Sequence, residues 1–79
     1  MDDLVFDEHA WKEMQRDSVS EDQVYLIVGD ADDVIQRGDG RTEYTRTLED
    51  GRWVMVIVED ETRAVKTVWW DKRRSRRRR

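Results

Sequence analysis

Hydrophobic and polar positions follow two rhythms along this chain, helical up to Gly29 and two-residue alternation afterwards. At 100° per residue Phe6, Ala10, Trp11 and Met14 fall within one arc of about 140°, with His9, Lys12, Glu13 and Arg16 on the other side. This spacing predicts an amphipathic helix over residues 8 to 17. Asp7 takes its N-cap position, and Phe6 and Trp11 have the N′ and N4 spacing of a hydrophobic staple. Ser20-Glu21-Asp22-Gln23 reads as a capping box, flanked by a second staple of Val19 and Val24, and predicts a short helix over 21 to 28 that Gly29 ends. Its run Val24-Tyr25-Leu26-Ile27-Val28 is apolar nearly all round, which implies burial on more than one side.

Beyond Gly29 the pattern predicts strands. Val34-Ile35-Gln36 is a brief strand, Gly38-Asp39-Gly40 a turn, residues 41 to 48 a second strand, Glu49-Asp50-Gly51 a turn, and residues 52 to 59 a third strand. Asp60-Glu61-Thr62-Arg63 turns the chain, and residues 64 to 70 return antiparallel. Trp53-Val54-Met55-Val56-Ile57-Val58 is apolar at both parities, as in a central strand covered on both faces. The expected fold is α+β, with two N-terminal helices packed on a three- to four-stranded antiparallel sheet. Such a layout leaves one sheet face with little to cover it, suited to a ligand cleft, a dimer contact or a partner's helix. Thr42, Tyr44, Arg46 and Leu48 share one face of the second strand, and Arg41 and Glu43 the other. Trp69 and Trp70, being adjacent, point to opposite faces. One of the two is therefore expected on the open face, where it would anchor RNA, a peptide or a second subunit.

Composition narrows the chemistry. The chain has 79 residues, of which 37% are hydrophobic and 43% charged, enough for one small domain with a thin core and too little for a two-domain enzyme. With no Cys and a single His there is no disulfide, no cysteine nucleophile and no zinc site of the usual ligands, and no cofactor is indicated. No apolar run approaches about 18 residues, and Met1-Asp2-Asp3 lacks a basic leader, so no membrane span is expected and the chain is read as cytoplasmic.

Charge is segregated. All 19 acids lie in residues 1 to 71 with only 8 of the 15 bases, leaving that body at −11, whereas the other 7 bases fill residues 72 to 79 without an acid. The chain is accordingly divided into an α+β body over 1 to 71 and a disordered basic tail over 72 to 79. Lys72, Arg73, Arg74, Arg76, Arg77, Arg78 and Arg79, with Trp70 beside them, form the expected nucleic-acid-binding set. Asp30, Asp32, Asp33 and Asp39 lack the spacing of a calcium loop, and Gly38-Asp39-Gly40 is turn chemistry rather than a phosphate loop.

Phe6-Asp7-Glu8-His9-Ala10, Met14-Gln15-Arg16 and Val19-Ser20-Glu21-Asp22-Gln23-Val24, followed by Gly40-Arg41 to Tyr44, Gly51-Arg52 into Val54-Met55-Val56, and Lys66-Thr67-Val68-Trp69, together resemble the DUF4258 family over residues 4 to 71. The resemblance implies a relative of the RelE, ParE and BrnT toxins, which set two helices on an antiparallel sheet and often cleave RNA without metal. It also brings in a cognate antitoxin as a partner. The chain departs from the family in having Glu13 where an Arg usually precedes the Met, and in its acidic body.

Metal-free RNA cleavage needs a base near the 2′-hydroxyl, an acid for the leaving oxygen, and cations on the phosphorane. The catalytic candidates are His9 as acid or base, Arg41 and Arg46 on phosphate, and Tyr44 near the base. His9, Glu13 and Arg16 share one helical stripe, on which Glu13 would orient His9. The alternative is a non-catalytic module whose open sheet face meets a partner protein or makes a homodimer, with nucleic-acid attachment by the tail. A third reading, mimicry of nucleic acid by the acidic body, requires carboxylates at phosphate-like spacing. Catalysis requires His9 and Arg46 to converge on one phosphate; binding does not.

Overall fold

The computed structural model describes residues 3–73. Along the chain come β1 (Val5–Phe6), α1 (Glu8–Asp17), α2 (Glu21–Gly29), β2 (Asp33–Gln36), β3 (Arg41–Thr47), β4 (Trp53–Glu59) and β5 (Ala64–Asp71). The α+β class and both helices agree with the sequence pattern. The sheet has five strands rather than three or four, in the order β1-β5-β4-β3-β2, and it is mixed: β1 runs parallel to β5 while all other pairs are antiparallel. Two residues are too few to show a two-residue rhythm, and Phe6 also serves the first helix, which is why β1 is not legible beforehand.

Ser20 Oγ accepts from the Gln23 N–H while Ser20 N–H donates to Gln23 Oε1, completing the expected capping box at α2. At α1 the staple forms, with the Phe6 and Trp11 rings edge to face at 6.3 Å. Asp7, however, makes no side-chain cap bond; its carboxylate accepts from Lys66 Nζ of β5 at 2.8 Å. Ser18 ends α1 in the left-handed region (φ 56), and the N–H groups of Ser18 and Val19 close back on Gln15 and Met14. Val24 and Ile27 of α2 are buried, but Leu26 is exposed, so this helix is covered on one side only, contrary to the expectation from its apolar run.

The core lies between the helices and one sheet face. Ala10, Met14, Val19, Val24 and Ile27 meet Leu48, Val54, Val56, Val58, Val65 and Val68, with Phe6, Tyr25, Tyr44 and Trp70 packed at its margin. α1 lies over β5, and α2 over β3 and β4. A β-bulge in β5 puts Ile57 opposite Thr67 but Val58 opposite Val65, so Lys66 is the extra residue. The bulge lets Val65 and Val68, three apart, both point into the core. β4 is central, as its apolar run suggests, and its two faces differ: Val54, Val56 and Val58 face the helices, while Trp53, Met55 and Ile57 lie on a face that no described element crosses, where Ile57 is still buried and Trp53 and Met55 are half-buried. No helix among the described residues is long and apolar enough to cross a membrane.

Candidate functional site

The strand register fixes where each candidate side chain stands. Tyr44 pairs with Val56 and Arg46 with Val54, both core residues, so Tyr44 and Arg46 point to the helix side of β3; Arg41 and Glu43 take the opposite face by alternation. Arg46 is thus not on the open face. Its Nη1 donates to the backbone oxygen of Asp30 at 2.6 Å and to Asp30 Oδ2 at 3.2 Å, and Asp32 Oδ1 lies 3.9 Å away. A cation there completes the C-terminal end of α2, where the last carbonyls lack helical partners.

His9 is at the other side of the molecule, on α1 over β5, with a largely exposed ring 3.3 Å from Glu13 Oε2. Glu13 is itself committed, because its Oε1 accepts from the backbone N–H of Val68 at 3.0 Å. One turn on, the buried Asp17 carboxylate accepts two bonds from Arg16 and one from the backbone N–H of Trp70. These bonds, Arg16 first, hold Asp17 below the usual carboxylate range against the opposing effect of its burial. Glu13 and Asp17 therefore close the edge of β5 beyond the reach of β1, a role that could be sought in the sequence only through their i, i+4 spacing.

The four catalytic candidates are not brought together. Arg41 is on one sheet face, Tyr44 borders the core on the other, Arg46 is held by the end of α2, and His9 sits over the opposite sheet edge. His9 and Arg46 share no ion-pair partner among the described residues.

Of the acidic cluster, Asp30 serves Arg46, and Asp32 Oδ2 accepts from the N–H of Thr47. Both carboxylates are used within the chain at the junction of α2 with the sheet.

The open face carries a different constellation. Met55 of β4 pairs directly with Trp69 of β5; Trp53 and Ile57 flank Met55 along β4, and Ile35 lies two strands away opposite Glu43. Trp69 is 44% exposed and Ile35 49%. Glu43 and Glu59 share this face, with Asp33 at its β2 edge. Arg41, cross-strand from Glu59, and Arg37, 3.9 Å from Glu43, stand on the same face, so the apolar strip is bordered by charges of both signs.

Trp70, the tryptophan grouped with the basic tail, stands on the helix side of the sheet beside the tail's first residue. Arg52 and Lys72 lie over its ring at 5.4 and 5.1 Å. Arg52, which the sequence does not single out, also donates through Nη1 to the carbonyls of Asp17 and Ser18 and through Nε to Asp50. The Asp50 carboxyl is raised by burial but brought below its ordinary value by the Arg52 N–H and guanidinium. Arg16, Asp17, Trp69, Trp70, Lys72 and Arg73 line a concavity of about 400 Å³ where the chain leaves β5. Of the expected basic set, Arg74, Arg76, Arg77, Arg78 and Arg79 lie outside the described residues.

Set against models of protein families, the chain has no match. Comparison with curated proteins and with solved structures likewise gives no match.

Proposed function

We propose that this chain is a non-catalytic binding module that uses its uncovered sheet face to hold an apolar segment of a partner protein, while its basic C-terminal residues attach it to a polyanion such as RNA. The observation that carries the reading is the pair of exposed side chains Trp69 and Ile35, with the half-buried Trp53 and Met55 between them, on a sheet face that no described element crosses. Charge selects the occupant. Asp33, Glu43 and Glu59 outnumber Arg37 and Arg41 on this face, so a segment with an apolar side and basic flanks meets both the strip and its border. The resemblance to DUF4258 belongs to the same proposal, with the toxin-like fold used for attachment rather than cleavage. The nuclease alternative has less behind it, since His9, Arg41, Tyr44 and Arg46 do not share a site.

The test is an amide and indole NMR titration of the full chain with an amphipathic peptide of Leu and Lys. Shifts confined to β4, β5 and the Trp69 indole, and lost in Trp69→Glu, are expected. Shifts confined to the helices, or the same response in Trp69→Glu, would overturn the reading.

A further inference from the structure

The two edges of the sheet are treated differently. On the β5 side, the carboxylates of Glu13 and Asp17 occupy the N–H groups of Val68 and Trp70. On the β2 side no described element follows, and all four residues of β2 are exposed. The bond from the Arg37 N–H to the Arg41 oxygen sets the phase: odd-numbered residues of this segment bond inward to β3, so the backbone groups of Val34 and Gln36 face outward. A bare edge of this kind is a template for another strand.

The side chains say which strand. Asp33, Ile35 and Arg37 alternate onto the open face, giving a stripe that reads acid, apolar, base along the edge. Such a stripe is complementary to itself when run antiparallel. With a two-fold axis through Ile35, the outward groups of Val34 and Gln36 exchange hydrogen bonds with Gln36 and Val34 of the second copy. Ile35 then faces its own equivalent, and Asp33 faces Arg37 at both ends. Arg37 now rests 3.1 Å from Asp39 and 3.9 Å from Glu43, on a guanidinium 37% exposed, and can reach an additional carboxylate without leaving the strand end.

We infer that β2 pairs antiparallel with β2 of a second copy of this chain, joining two sheets into one, with the Asp33–Arg37 pairs fixing the register. This contact uses the edge of β2, three strands from Trp69, and shares only Ile35, Asp33 and Arg37 with the sheet face.

Sedimentation equilibrium of the full chain over a range of concentrations tests it. The wild type should approach twice the monomer mass as concentration rises. Asp33→Arg and Arg37→Asp should each stay monomeric, because each places like charges opposite one another. An equimolar mixture of these two variants should recover the doubled mass, since each then meets its opposite. Gln36→Pro, which removes an outward N–H and leaves the inward ladder to β3 intact, should be monomeric, and it decides the matter should a charge variant not fold. Trp69→Glu should dimerise like the wild type. A wild type that stays monomeric at every concentration, single charge variants that dimerise normally, or a folded mixture that stays monomeric would each overturn the inference.

Discussion

The carboxylate of Glu13 accepts a hydrogen bond from the backbone N–H of Val68 at 3.0 Å, fastening the middle of α1 to the outer edge of β5. Removing that acceptor strands the N–H of the buried Val68, so Glu13→Ala should cost about 1–3 kcal/mol. Glu13→Gln keeps an oxygen in place and should cost distinctly less. His9→Ala, which removes only an exposed partner of Glu13, should fall within about 0.5 kcal/mol of the wild type. Urea denaturation of the three variants ranks them; equal losses for Glu13→Ala and Glu13→Gln would refute this role for the carboxylate.

Acid should weaken the fold through Asp17. Its folded-state pKa is depressed, chiefly by the bonds from Arg16, so the stability it contributes is full above the unfolded pKa and is lost as pH falls through the folded value. Asp50 acts in the same direction. Denaturation midpoints should therefore decline below the ordinary Asp range, and Asp17→Asn should be less stable at neutral pH with a shallower acid decline. An unchanged slope in that variant would contradict the assignment.

Arg52 should matter more than its place at a strand end suggests. One guanidinium, only 14% exposed, serves the final carbonyls of α1, the Asp50 turn and the Trp70 ring. Arg52→Ala should lose about 2–3 kcal/mol, and Arg52→Lys should recover only part, because an ammonium cannot supply the fork. Thermal or urea unfolding reads this directly.

The two adjacent tryptophans should separate stability from binding. Trp70→Ala removes a ring packed against the core and should destabilise by about 3 kcal/mol. Trp69→Ala should cost well under half of that while abolishing the response to an amphipathic peptide. Comparable destabilisation by both would place Trp69 in the core and remove the basis for docking.

Much of this architecture is legible in the residue pattern, and its limits are physical. Ser20-Glu21-Asp22-Gln23 determines a helix start locally, and the structure has it. The alternation of β3 and the neighbouring positions of Trp69 and Trp70 correctly put Arg41 on the face opposite Tyr44 and separate the two rings. Which face the helices cover is a tertiary matter, however, and that choice sends Arg46 and Trp70 to the helix side and leaves Trp69 outside. The bulge at Lys66 is equally invisible, since nothing in Ala64-Val65-Lys66-Thr67-Val68 marks an extra residue. Glu13 and Asp17 look like solvated helix acids until β5 is laid beside them.

Attachment rather than cleavage is tested most directly by the fate of RNA incubated with the full chain, with His9→Ala, and with a chain truncated after Arg73. Intact RNA is expected in all three, held by the full chain and by His9→Ala in a complex that weakens as salt rises, and held far less by the truncated chain. RNA cleaved by the full chain and spared by His9→Ala would contradict it.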